Sequence, residues 1–381
     1  MAEHRFIGDH SAPTPLARVR AKRPALGTGQ IPEALRAMAR TQSLYLKTET
    51  HERPEVKIVS IGSRGQHEWR IDVPVHEQLS GRRLGLIAER HPSEKFLAEV
   101  DEHHDFKARC PEWADLLTVP QVFNDRATRT MRRFNGRRVE PTWVFDSARS
   151  AFNNDAWPLG LVGRITNSDG KAGTGTLIGD RIVATAAHVI PWNSVAAGSW
   201  WMQFTPAYFN GQSLFGAGVT SFVSDCMAYN NGNNVSGYDW AVLRLYEPLG
   251  QSLGYMGYNS YSSDWNNLGV WSNIGYPGDI DNGQEPVFQQ GFSINDTDGD
   301  SNGGQELESQ NADIYFGQSG GPIYAWWNNG TDPRLVGVVS GQENETDYTF
   351  PLSFDTHNDN VFAGGDGFCN LMAWGRANWP A

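Results

Sequence analysis

Asp313-Ile314-Tyr315-Phe316-Gly317-Gln318-Ser319-Gly320-Gly321-Pro322-Ile323 is the stretch from which the rest of the chain can be read. One serine stands among three glycines, with a proline behind them. Glycine reaches φ > 0 and lets the backbone approach a ligand closely. A serine acting as a nucleophile needs such a turn, because backbone N–H groups must point at the oxyanion that forms on its substrate. A plain surface loop also favours small residues, so this run alone leaves both readings open.

Two further stretches bear on the choice. Gly173 to Val189 reads as two short β-rich runs around Gly179-Asp180, which is hairpin chemistry, and it ends in Thr185-Ala186-Ala187-His188. Tyr238-Asp239-Trp240-Ala241-Val242-Leu243-Arg244-Leu245 begins a strand with a carboxylate. The order His188, Asp239, Ser319, with intervals of 51 and 80 residues, resembles the trypsin-like, chymotrypsin-fold serine proteases. Val139-Glu140-Pro141-Thr142-Trp143-Val144-Phe145 and Ile274-Gly275-Tyr276-Pro277-Gly278 resemble their glutamyl-endopeptidase-like branch. The resemblance covers roughly residues 140–381 and leaves 1–139 unexplained.

The resemblance implies an all-β catalytic domain of two antiparallel β-barrels with a C-terminal helix, preceded by a smaller mixed α/β N-terminal segment. The residue pattern agrees with short strands: near 160–166, 173–178, 181–186, 199–205, 214–223, 240–245, 269–275, 286–294, 306–313, 321–326 and 334–341, then a helix over Phe368–Ala377. In the front part, Pro32–Arg40 and His91–His104 read as helices, and Val56–Ile61 and Glu68–Val75 as strands. The arginine-dense run over 124–140 reads as an exposed, cleavable linker, so residues 1–139 are expected to be a partly disordered pro-segment or accessory region.

The resemblance assigns roles residue by residue. Ser319 is the expected nucleophile, His188 its base and Asp239 the carboxylate that fixes the imidazole tautomer. The N–H groups of Gly317 and Ser319 form the expected oxyanion hole. Asp313, Ile314, Val339, Ser340, Gly341 and Gln342 are the expected substrate-pocket residues. In trypsin the residue before the serine is an aspartate that pairs with a newly cut N-terminus. Here it is Gln318, so activation by that ion pair is not expected. Glutamate-selective relatives carry a hydroxyl and a histidine at the places of Ile314 and Val339, both apolar here.

Other readings are duller or rival. His188 could be a structural histidine, Asp239 a turn residue and Ser319 loop filler. Gly317-Gln318-Ser319-Gly320-Gly321 also fits the Gly-x-Ser-x-Gly elbow of α/β-hydrolase esterases, but those need an acid and a histidine after the serine, and only His357 follows. A catalytically silent binding protein on a protease fold is the remaining alternative. Asp296, Asp298 and Asp300 resemble part of a Ca²⁺ loop, but position twelve is Leu307 and not a bidentate glutamate, so a polar hairpin tip is expected. Asp101-Glu102-His103-His104-Asp105 reads as a solvated face and not as a metal site.

Composition bounds the rest. The 381 residues, 39% hydrophobic and 19% charged, can bury a full core. Residues 1–140 hold 24 Lys+Arg and 19 Asp+Glu; residues 141–381 hold 7 and 24. An acidic back half argues against nucleic acid as a partner, and the opposite sign of the front suggests that it docks on the back. No apolar run long enough for a membrane span is present. Expected partners are therefore protein or peptide substrates, and no cofactor is expected. Met1–Arg23 lacks the apolar stretch of a secretory signal, although the family implies an extracellular or periplasmic protein. Of the cysteines at 110, 226 and 369, the last two could form one disulfide.

Overall fold

A computed structural model describes residues 6–20, 30–40, 45–49, 57–62, 68–73, 83–86, 105–122, 133–134, 137–138, 148–197, 200–229, 236–349 and 353–380. The helix expected over His91–His104, the acidic-histidine run beside it and most of the arginine-rich stretch lie outside these residues.

Six strands close a barrel. They are β1 (Val162–Asn167), β2 (Ala172–Leu177), β3 (Ile182–Thr185), β4 (Met202–Pro206), β5 (Ser221–Ala228) and β6 (Ala241–Leu245). Their order is β4-β1-β2-β3-β6-β5, and a β4–β5 pairing shuts the ring. The closing pairing joins Gln203–Phe204 to Ser221–Phe222, and Arg83–Leu86 of the front runs parallel along Asp225–Ala228 on the remaining edge of β5. Val183, Phe204, Val223 and Leu243 fill its interior, each fully buried. The expected strand over 214–223 starts later, at Ser221. Gly216, at φ 132°, turns the chain first, because Phe215-Gly216-Ala217-Gly218 is turn chemistry and not strand chemistry.

The second half is one nine-stranded sheet, mostly antiparallel. It contains β7 (Trp271–Gly275), β8 (Val287–Phe292), β9 (Asp296–Gly299), β10 (Gln305–Ser309), β11 (Pro322–Trp327), β12 (Asp332–Thr349) and β13 (Ser353–Gly364). The order is β9-β10-β13-β12-β11-β7-β8, ending on Ser150–Ala151, and Gly257–Tyr258 pairs parallel with Arg334–Leu335 of β12 off this path. Among the described residues no pairing joins its two ends. Strand β13 was not expected: Ser353 to Asn360 is almost wholly polar and carries no alternation of apolar side chains. It forms because β12 pairs with it through both lengths. A helix over Gly365–Asn378 follows, three residues earlier than its apolar start suggests.

The front of the chain lies against both halves. Ile7 and Ser260 exchange backbone-linked hydrogen bonds, and Thr14 N–H donates to Trp326 O at 2.6 Å. Val19 and Leu35 are buried in the core. Residues 105–122 bridge to Tyr255, Trp157 and Phe152. The Arg334 guanidinium, with its side chain only 1% exposed, pairs with Asp332 at 2.6 Å, faces the Phe106 ring at 4.8 Å and the Trp327 ring at 5.2 Å, while Asp332 Oδ1 accepts from Ala108 N–H at 2.9 Å. These contacts are chiefly backbone hydrogen bonds and buried side chains, so the charge imbalance between front and back is not their main source. Among the described residues, Arg109 and Asp180, 3.3 Å apart and partly exposed, pair a front cation with a back anion.

The sequence left the cysteine pairing open and read Asp296 to Asp300 as a polar hairpin tip. Cys226 and Cys369 are unbonded and buried, each absorbed as a small apolar residue in the barrel core. Asp296, Asp298 and Asp300 do not gather into a cation cage; no cluster of three or more metal-capable side chains occurs among the described residues. Asp300 instead accepts from Ser301 and Gly237 N–H groups. Burial pushes the thiols of Cys226 and Cys369 upward, and that of Cys110 up to about 11 despite Arg109 beside it. Cys226 and Cys369 should therefore react slowly with Ellman's reagent at pH 8 in the folded protein, and the exposed Cys110 ahead of them. After unfolding in guanidinium without reductant, we expect three thiols per chain; a count of one would show a Cys226–Cys369 bond.

Candidate active site

Strand pairing brings His188 and Asp239 together. β3 runs antiparallel to β6 with Thr185 opposite Ala241. His188 sits in a 3₁₀ turn, Ala187–Val189, just after β3, and Asp239 stands just before β6. Two side chains distant in sequence thus leave the same end of two neighbouring strands. Imidazole Nδ1 lies 2.6 Å from Asp239 Oδ2, and the backbone N–H of His188 donates to Oδ1 at 3.0 Å.

The Asp239 side chain is 1% exposed and that of His188 is 21% exposed. A buried carboxylate needs hydrogen-bond donors, since desolvating a charge is costly. A third donor comes from the other half of the molecule: Ser340 Oγ–H donates to Oδ2 at 2.7 Å. A ring proton on Nδ1, donated to Asp239, leaves Nε2 as an acceptor.

Ser319 sits on the turn that precedes β11. Its carbonyl accepts from Thr174 N–H of β2 at 2.8 Å, and Thr174 Oγ1–H donates to Gly317 O at 2.8 Å. Thr174 thereby stitches the serine turn to the first barrel, one end of the turn at each of its groups. Gly317 has φ 97° and Gly320 φ 80°. A Cβ on Gly320 would stand 2.1 Å from Thr185 Oγ1, and one on Gly317 would stand 2.3 Å from Tyr276 O. Both positions therefore require glycine on conformation and on space.

The expected pocket residues divide. Gly341 and Gln342 are partly exposed. Ser340 is buried, its hydroxyl spent on Asp239. Ile314 and Val339 are each 1% exposed and pack among Tyr261, Trp271 and Trp327. Asp313 is fully buried, and its Oδ2 accepts from Ala148 N–H at 2.5 Å. So the structure brings Gly341 and Gln342 toward solvent, but gives Ile314 and Val339 to the core and Asp313 to the incoming chain. Each is placed by burial: Asp313 follows a stretch anchored by Ser309 and Gln289, which turns its carboxylate inward.

Thr174 and Arg149 were not singled out by sequence. A threonine within a β run and an arginine in Ala148-Arg149-Ser150 carry no local signature. Their importance comes only from which turn they reach.

The sequence model of the Trypsin family matches residues 151–360, more than half of the chain. The chain belongs to the trypsin family. It is 28% identical over 222 residues to a glutamyl endopeptidase of Bacillus licheniformis, a match that spans 58% of this chain and 61% of that relative, just under two thirds. Among solved structures it is similar to a Glu endopeptidase in complex with MPD, with TM-score 0.43 and 20% identity over 60% of this chain and 96% of that one. It is also similar to the protease Anisep from Arthrobacter nicotinovorans, with TM-score 0.39 and 19% identity over 59% of this chain and 98% of that one.

Within this trypsin-family fold, Ser340→Ala tests the third hydrogen bond on Asp239. Losing a donor to a charged acceptor costs about 1.5–3 kcal/mol. Any hydrolytic kcat/KM should fall on the order of tenfold to a hundredfold, and the melting temperature should drop by several degrees. An unchanged rate would contradict the role given to Ser340.

Proposed function

We propose that the chain is a serine endopeptidase that cleaves peptide bonds through an acyl-enzyme on Ser319. The observation that supports this most is the pairing of His188 Nδ1 with the buried Asp239 carboxylate at 2.6 Å. That pairing serves a base whose Nε2 must accept a proton. A structural histidine would gain nothing from a fixed tautomer with its ring still 21% exposed.

In this reading Ser319 Oγ attacks the scissile carbonyl carbon while its proton passes to His188 Nε2. The C–O bond forms, the carbonyl oxygen takes the negative charge, and the N–H groups of Gly317 and Ser319 hold it. The C–N bond then breaks, and His188 returns the proton to the leaving amine. Water repeats the sequence on the ester and frees Ser319. Asp239 stays ionised throughout and stabilises the imidazolium.

Substrates on this reading are proteins or peptides, with Gly341 and Gln342 beside the bound segment. A glutamate side chain finds no partner from Ile314 and Val339, which put apolar carbon where Glu-selective relatives carry hydroxyl and imidazole. We place the activity in the extracellular or periplasmic space, in keeping with the similarity to the bacterial glutamyl endopeptidase. Residues 6–20, 30–40 and 105–122 act as an accessory clamp in this reading; Val19 and Leu35 in the core support that over a loosely held pro-segment.

Ser319→Ala should abolish labelling by a fluorophosphonate and hydrolysis of fluorescein-casein while the fold persists. Asp239→Asn should lower kcat on the order of 10⁴-fold by selecting the wrong tautomer. Labelling that persists in Ser319→Ala would overturn the assignment. A wild-type chain that never labels would favour a silent binding protein.

A further inference from the structure

We infer that Arg149 is the positioning residue of the oxyanion turn, holding it in order from inside the chain and without a newly cut terminus. The inference rests on the endopeptidase reading for what the turn does.

Gln318 stands between the two proposed oxyanion donors, Gly317 and Ser319. It is fully buried, so its amide must find partners within the protein. Nε2–H donates to Asn273 Oδ1 at 2.8 Å, and Asn273 Nδ2–H donates on to Pro322 O at 3.0 Å. Oε1 accepts twice: from Tyr315 N–H at 3.0 Å and from Arg149 Nη1–H at 2.8 Å. The turn is further closed by Gln318 N–H on Tyr315 O and Gly321 N–H on Gln318 O. Gln318 and Asn273 together thus span the turn from its entry at Tyr315 to its exit at Pro322.

The cation on that side chain is itself fixed. The Arg149 side chain is 3% exposed, and its fork holds Asp279 at 3.1 Å from Nη1 and 2.5 Å from Nη2. Asp279 neutralises the buried charge, so a neutral amide suffices at position 318. Asp279 lies on the Tyr276–Ile280 segment, where Gly278 N–H also donates to Phe316 O at 2.7 Å. Next to Arg149, Ala148 is held by Asp313. Residues 148 and 149 are therefore gripped at two points of the 313–319 stretch. A carboxylate before the serine would call for an incoming ammonium; Gln318 with Arg149 supplies the same tether from a side chain already present.

The test uses the full chain with Arg149→Met and Arg149→Lys. Three readouts are taken: the rate of fluorophosphonate labelling of Ser319, amide hydrogen exchange over residues 315–320, and the downfield proton resonance of His188 Nδ1–H. For Arg149→Met we expect labelling about a hundredfold slower, in the range of a lost oxyanion donor, and exchange at the turn faster by more than tenfold. The His188 resonance should be retained, because its pairing with Asp239 does not involve the turn. Arg149→Lys should recover at least tenfold of the labelling rate. Wild-type labelling in Arg149→Met with unchanged exchange would overturn the inference, and so would a loss in which the His188 resonance and the folded fraction disappear together. If the wild type does not label at all, the endopeptidase reading fails, while exchange at 315–320 still decides whether Arg149 orders the turn.

Discussion

A carboxylate held out of water between two halves of a molecule constrains everything around it. Asp239 takes hydrogen bonds from the backbone and ring of His188 in the first half and from Ser340 in the second. Neither half alone satisfies it. Leaving such a charge short of donors would cost several kcal/mol, so the two sheets are locked in the one relation that also brings β2 against the serine turn. The geometry of a site and the stability of an interface are here the same set of bonds.

The serine turn obeys the same logic at smaller scale. Thr174 holds it through both its amide and its hydroxyl, Gly317 and Gly320 allow its path, and Gln318 braces its interior. Around this core the front of the chain wraps as a strap fastened by Thr14, Val19 and Leu35. Its Arg109 and the distant Arg376 both stand over Tyr255, at 4.9 and 4.6 Å from the ring centroid. The strap is joined chiefly by backbone hydrogen bonds and buried apolar side chains, on which salt has little hold.

Sequence revealed what local chemistry encodes. The hairpin at Gly179-Asp180, the β runs on either side, and the glycines of the serine turn all follow from backbone preferences, and each was legible. The family likeness then ordered His188, Asp239 and Ser319. What stayed hidden was non-local. Asp313 reads as a pocket acid until burial shows it turned toward Ala148. Ser353 to Asn360 reads as loop because its strand partners, and not its own side chains, make it a strand. Arg149 has no motif at all; only the folded chain carries it to Gln318. The cysteines at 226 and 369 left pairing open, and packing decided against it.

In the proposed mechanism, imidazole, buried carboxylate and serine turn work as one unit. A crystal structure of the fluorophosphonate adduct tests it most directly. The expected adduct has phosphorus on Ser319 Oγ, its phosphoryl oxygen within hydrogen-bond reach of the Gly317 and Ser319 amides, and His188 Nδ1 still on Asp239. An adduct on another residue, or a phosphoryl oxygen turned away from both amides with the His188 ring detached from Asp239, would contradict it.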